Sequence, residues 1–324
     1  MKDIRWALVG TGTIANEMAR TLERNGRHFC AVASRSREKG AAFGEKYRIA
    51  KVYTDSDAML TDPEVDAVYI ATPHNTHFGY IMKALESGKH VLAEKAITLN
   101  SGELSEAVAL AREKGLVLAE AQTIYHMPLY RELRELLASG KLGRVNLVTM
   151  NFGSCKEYDM GNRFFNRSLA GGAMLDIGVY ALSFVRWFLD SKPERLLSQV
   201  KTAPTGVDEQ AGMLLTNQEG QMATVMLSLR SKQPKRGVVS CEKGFLEILE
   251  YPRATEANIT WADSGKTEVL RAGDCRDALL YEIADMERAI AGEPESMYLN
   301  LTEDVMDLMT RFRKSWDVSY PEEE

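Results

Sequence analysis

Cysteine is scarce in this 324-residue chain: Cys30, Cys155, Cys241 and Cys275 stand far apart with no Cys-x-x-Cys pair. That spacing argues against a disulfide scaffold or a thiolate metal centre. Each is expected as a small buried hydrophobe, and a reducing cytoplasm fits. Excess positive charge is also lacking. The 40 Lys and Arg face 46 Asp and Glu, a net charge of −6, which disfavours nucleic acid and anionic membrane as partners. No apolar run approaches the roughly 18 residues of a membrane span. Met1–Arg5 carries no hydrophobic stretch of a leader, so no signal peptide is expected. Internal repeats are missing, and Glu322–Glu324 reads as a short acidic tail. What remains is an ordinary globular composition, 45% hydrophobic and 27% charged. At roughly 150 residues per domain, the length predicts two domains.

The first part alternates short apolar runs (Ile4–Val9, Phe29–Ala33, Ala67–Ala71, His90–Ala93, Leu116–Ala119) with helix-like stretches at Ile14–Asn25, Thr76–Ser87 and Ser101–Glu113. Ser101 is the expected cap of the third. Runs of Val, Ile and Ala without polar alternation suit strands buried on both faces. Strand–helix–strand repetition then implies an α/β domain with a doubly wound parallel sheet of the Rossmann type over residues 1–122. From 123 to 324 the rhythm changes. A helix at Leu129–Ser139 precedes strands at Val145–Phe152, Leu196–Lys201, Gly212–Thr216, Met222–Leu229, Val238–Cys241 and Phe245–Leu249, and helices near Leu279–Ala291 and Leu301–Trp316 follow. This grouping predicts an α+β domain around a largely antiparallel sheet, used for substrate binding and oligomerisation. On Met222–Leu229 one face shows Met222, Thr224, Met226 and Ser228, the other Ala223, Val225, Leu227 and Leu229. Neither face is properly polar, so a homodimer through this sheet is expected, against two-sided burial within one chain.

Gly10-Thr11-Gly12-Thr13-Ile14-Ala15 reads GxGxxA between the first strand and the first helix. Gly10 permits the tight turn, Gly12 lets backbone approach a pyrophosphate, and Ala15 allows close helix–strand packing. The free N–H groups at Thr13 and Ile14 receive the phosphate charge. An NAD site usually carries an acid about 20 residues further on. Here the second strand ends in Ser34-Arg35-Ser36-Arg37. Ser34, Arg35 and Arg37 offer the hydroxyl and guanidinium groups that a 2′-phosphate needs, so NADP is favoured over NAD. The alternative is a solvated basic turn without preference.

Ligands gather at the carboxyl ends of the strands in such a sheet. Thr72, His74 and His77 stand after the Ala67–Ala71 strand. With no third ligand near, the two histidines are expected, with Thr72, to contact the cofactor rather than a metal, and Thr76 to cap the helix. Glu94 and Lys95 follow the next strand and are expected to contact the cofactor there. A lysine at the end of a buried strand is suited to donate a hydrogen bond to a reacting oxygen, with burial lowering its pKa. Its alternatives are snorkelling or an ion pair with Glu94 or Glu120. In Ala170–Tyr180, helix from about Leu175 would put Asp176 and Tyr180 on one face at i, i+4. The Gly171–Gly172 pair would allow close approach to another backbone or a ligand. Alternatively Asp176 caps the helix and Tyr180 is a core aromatic. Arg163 and Asn166 are candidate contacts for substrate hydroxyls.

Together GTGTIA at Gly10–Ala15, ATPHNTH at Ala71–His77, AEKA at Ala93–Ala96 and AGGAMLDIGVY at Ala170–Tyr180 resemble the Gfo/Idh/MocA family, along nearly the whole chain. The segment around Tyr281–Ile290 is similar as well. The resemblance implies nicotinamide-dependent hydride transfer at a CH–OH group, with Lys95, Asp176 and Tyr180 as catalytic residues. The family's Glu-Lys-Pro is Glu94-Lys95-Ala96 here, which loosens the expected turn. Tyr180 stands where His is common, as in the branch of dihydrodiol dehydrogenases and NADP-dependent xylose dehydrogenases. Gln122-Thr123-Ile124-Tyr125-His126 departs from that branch's aromatic and Arg, so the substrate is left as a sugar, polyol or cyclic diol. Competing readings are a non-catalytic NADP-binding sensor and a glycosidase that uses nicotinamide transiently.

Overall fold

The computed structural model describes residues 3–324; Met1 and Lys2, the start of the pentapeptide without an expected leader, lie outside the described residues. The chain alternates β1 (Trp6–Val9), α1 (Thr13–Arg24), β2 (Ala31–Ala33), α2 (Arg37–Tyr47), β3 (Lys51–Tyr53), α3 (Ser56–Leu60), β4 (Ala67–Ile70), α4 (His74–Glu86), β5 (His90–Glu94), α5 (Ser101–Lys114) and β6 (Leu118–Ala121). All six strands run parallel in the order β3-β2-β1-β4-β5-β6, a Rossmann-type doubly wound sheet. β1, β2, β4 and β6 are buried at every residue, as uninterrupted apolar runs require. α5 is capped by Asn100, whose side chain accepts the Glu103 N–H, rather than by Ser101, which is already its first helical residue. α4 likewise opens at His74. Thr76 therefore sits inside its first turn, donating to the Pro73 carbonyl instead of capping.

After Gln122 come α6 (Thr123–His126), α7 (Pro128–Ala138), β7 (Val145–Gly153), a π-helical turn at Met174–Gly178 and α8 (Val179–Phe188). They are followed by β8 (Arg195–Thr202), β9 (Asp208–Thr216), β10 (Met222–Ser228), β11 (Gln233–Cys241), β12 (Gly244–Leu249), β13 (Glu256–Trp261) and β14 (Thr267–Arg271). The eight strands form one sheet, β14-β13-β12-β11-β7-β10-β9-β8, in which only β7 and β10 pair in parallel. α8 packs against β7 and β10 on one face. The segment Arg167–Phe188 is long and apolar enough to cross a membrane, against the expectation that nothing approaches a span, and 83% of its most apolar stretch is buried. It is a core helix with a hydrophobic surface all round.

The chain then contributes α9 (Ala278–Ile290) to the first unit and ends in α10 (Leu299–Ser315). The first compact unit thus joins residues up to Gln122 with Arg276–Leu299; the second joins Thr123–Cys275 with Asn300–Glu324. This corrects the expectation of one unbroken second domain over 123–324. Leu279, Ile283, Met286 and Ala289 form a stripe on α9, in one core cluster with Ala15, Met18 and Leu22 of α1. Burying a large apolar side chain contributes roughly 1.5–3 kcal/mol, whereas doubling a loop's length costs only about 0.6 kcal/mol. A helix distant in sequence is therefore readily recruited. The expectation of four buried cysteines also changes: Cys155 and Cys275 are exposed and Cys30 and Cys241 half-buried, all as free thiols. In the acidic tail Glu323 pairs with the buried Arg313 at 2.8 Å and Glu324 with Arg167.

Candidate active site

In the first unit a cleft of about 570 Å³ lies at the carboxyl ends of β1, β2, β3 and β4. Gly10, at φ +104°, closes its turn so tightly that a Cβ would sit 2.5 Å from the Ala71 carbonyl oxygen. At Gly12 a Cβ would meet no protein atom within 4 Å, so this glycine is not required by packing within the chain. Gly12 is also the N-cap of α1, with no side-chain cap and no acid in the first turn. An open, uncapped helix start with its partial positive charge fits a pyrophosphate. Asn16 braces the loop, its Nδ2 donating to the carbonyls of Thr11 (3.2 Å) and Gly12 (2.9 Å). Thr13 is exposed on the first turn, while Ile14 packs on the core cluster.

Ser34, Arg35 and Ser36 line the same cleft, as do Lys39, Asp55 and Thr72. Arg37 is exposed and is not among the lining residues; Lys39, two residues further into α2, lines the cleft in its place. Sequence reasoning passed over Lys39 because it lies inside a helix. Its spacing from Arg35, i to i+4, was the available signal.

At the next strand end, Lys95 is half-buried on a turn whose Lys95–Ala96 peptide is cis. The turn is anchored from three sides. Glu94, buried at the end of β5, accepts from the Tyr69 hydroxyl. Glu120 of β6 accepts the Ile97 N–H at 3.1 Å. His77, fully buried, holds Nδ1 2.9 Å from the Ala96 carbonyl oxygen and Nε2 2.8 Å from that of Thr72. Burial pushes the His77 imidazolium towards the neutral form. Buried polar side chains thus surround the turn at the position where Ala96 replaces Pro. His77 stands between the cleft wall and the Lys95 turn, and its neutral ring donates its single N–H to one of these two carbonyls, so it is engaged by main chain rather than directed at a ligand. His74, half-buried, meets it edge-on at 5.8 Å between ring centroids.

In the second unit the π turn at Met174–Gly178, closed by Val179 N–H to Met174 O, carries Asp176 into α8. Four residues still come close to one turn here, so Asp176 and Tyr180 share a face. Asp176 is nearly buried and lies 3.5 Å from the Arg163 guanidinium, which stacks over Phe164. Tyr180 is half-buried, its ring 6.3 Å from that of Phe152. Gly171 and Gly172 do make close approaches: Cβ atoms there would lie 2.8 Å from the Arg163 carbonyl oxygen and 2.3 Å from Asp208 Oδ1. Asn166 is not free for a ligand through its carbonyl, which caps Arg167–Leu169 by accepting the Ser168 N–H. Among the described residues no three His, Cys, Asp or Glu side chains gather as a metal site.

Residues 4–122 match the family described as oxidoreductase, NAD-binding Rossmann fold, of the Gfo/Idh/MocA group, and residues 130–247 match its C-terminal domain. The chain is 30% identical to a trans-1,2-dihydrobenzene-1,2-diol dehydrogenase of Mus musculus over 99% of both chains. It is 34% identical to the enzyme of that name from Sus scrofa, over 76% of this chain and 74% of the relative. Among solved structures, a 3-ketoreductase from Actinomadura kijaniata in complex with NADP and TDP-benzene superposes with a TM-score of 0.85 at 26% identity, covering 97% and 98% of the two chains.

Proposed function

Because this chain belongs to the Gfo/Idh/MocA family of oxidoreductases, we propose that it is an NADP-dependent dehydrogenase acting on a secondary alcohol of a sugar, polyol or cyclic diol, or on the matching carbonyl in reverse. The observation that carries this reading is Lys95: a half-buried cation at a strand end, on a turn held by Tyr69, His77 and Glu120. Gly10 and Gly12 admit the pyrophosphate, and Ser34, Arg35 and Lys39 receive the 2′-phosphate. Bound nicotinamide supplies the hydride acceptor, or the donor in reverse. Lys95 donates a hydrogen bond to the reacting oxygen. Tyr180 exchanges the proton. Asp176, paired with Arg163, orients this group or a neighbouring substrate hydroxyl. The diol named for the relatives supports a vicinal hydroxyl beside the oxidised carbon, and the TDP-benzene bound by the ketoreductase supports a ring substrate.

The second sheet supports a homodimer. Leu197, Met226 and Leu249 are 69%, 53% and 52% exposed, and the register puts them on one face with Leu147, Met222, Phe245 and Val269. Seven exposed apolar side chains on a face that also carries the Arg236–Glu247 and Arg271–Glu256 pairs support cover by a second copy.

The test mixes the protein with NADP or NADPH and a panel of sugars, polyols, diols and dicarbonyls, and follows the NADPH absorbance. Steady turnover is expected. Binding without turnover makes the chain a sensor, and product without net cofactor change makes it a glycosidase; either overturns the proposal.

A further inference from the structure

Asp208, at the start of β9, is fully buried beneath the segment that carries Asp176. Its Oδ2 accepts the Met174 N–H at 2.6 Å, the first residue of the π turn. Its Oδ1 is buried without a hydrogen-bond partner and lies so close to Gly172 (φ +120°) that any Cβ there would collide with it. From the opposite end, the buried Tyr320 hydroxyl donates to the Gly171 carbonyl at 2.7 Å. Arg313, stacked on Tyr320 and paired with Glu323, holds that tyrosine in place. The Gly171–Met174 backbone is thus gripped by one carboxyl and one phenol drawn from the strand and the C-terminal segment.

We propose that Asp208 is a positioning residue: through Met174 N–H and Gly172 it fixes the turn from which Asp176 is presented. This rests on the reading of Asp176 as part of the reacting site. A neutral amide of the same shape keeps an acceptor oxygen for the Met174 N–H and so can supply the grip; burial also pushes the Asp208 carboxyl up to about 7.

The experiment compares wild type, Asp208→Ala, Asp208→Asn, Tyr320→Phe and Asp176→Asn in the full chain. Readouts are deuterium uptake of a peptide spanning Gly171–Gly178, and turnover of trans-1,2-dihydrobenzene-1,2-diol with NADP. Losing one buried hydrogen bond is worth about tenfold. Asp208→Ala should therefore raise uptake there and lower kcat by at least about that factor, with uptake across β10 and β11 and affinity for NADP unchanged. Asp208→Asn should restore both. Tyr320→Phe, the milder change, should loosen the same peptide by a few fold. Wild-type uptake and kcat in Asp208→Ala overturn the proposal, as does loosening spread evenly over the sheet. Local loosening together with full turnover by Asp176→Asn sustains the grip and removes Asp176 from the chemistry, so the two readings fail separately.

Discussion

Glu120 Oε1 accepts the main-chain N–H of Ile97 at 3.1 Å, so the last acid of β6 holds the far side of the turn that carries Lys95. Both residues are buried. Glu120→Ala strands that donor, a loss of about 1–3 kcal/mol in stability. Urea unfolding should register it, and kcat should fall while affinity for NADP holds. Glu120→Gln keeps an acceptor and should lie much nearer to wild type in both.

Arg35 and Lys39 line the nucleotide cleft with Ser34, and no acid ends β2. A charge-assisted hydrogen bond contributes about 1.5–3 kcal/mol, and 1.4 kcal/mol is about tenfold in affinity. Arg35→Ala and Lys39→Ala should each weaken NADP by roughly tenfold to a hundredfold and leave NAD almost unchanged. Arg37→Ala should do neither. Titration of intrinsic fluorescence with both cofactors checks this.

The parts that were legible in the sequence are those whose information is local. Unbroken Val, Ile and Ala marked β1, β4 and β5, and Gly10 with Gly12 marked the turn between β1 and α1. What escaped depends on distant partners. β3 is three residues, Lys51-Val52-Tyr53, none of them buried, and β14 lies at the sheet edge with mostly exposed side chains, so neither shows an apolar signal. β9 begins four residues before its apolar stretch because Asp208 and Glu209 are buried at its start, where composition reads as loop. His77 reads as a ligand by residue type. Its bond to Ala96, 19 residues away, becomes visible only once α4 and β5 lie side by side. The same holds for α9, whose stripe fits the first unit and carries no label saying so.

Asp208 makes stability depend on pH with a definite sign. Its carboxyl is raised by burial to about 7 despite the attraction of Arg313 and the Met174 N–H; Tyr320 lies against Arg313, and Glu323 pairs with it. Between the ordinary carboxylate range and pH 7 the unfolded chain has released a proton that the folded chain retains. Stability therefore falls as pH rises through that window, by at most about 1.4 kcal/mol per pH unit. Asp208→Asn cannot ionise. Its melting temperature relative to wild type should climb from pH 4 to pH 7 and then level off; a difference constant in pH contradicts this assignment.

Leu197 and Met226 stand exposed on one face of the second sheet. Leu197→Glu with Met226→Glu buries two unpaired charges in any interface formed there. Light scattering at micromolar concentration should show wild type as a dimer and the double variant as a monomer with unchanged far-UV circular dichroism. A monomeric wild type ends the dimer proposal.

Lys95 is the residue on which the proposed chemistry turns, and Lys95→Ala tests it most directly. Positioned acid–base help contributes about a hundred- to ten-thousandfold. The variant should lose turnover with NADP and its best alcohol substrate by at least that range while binding NADP as wild type does. Turnover equal to wild type would contradict the account.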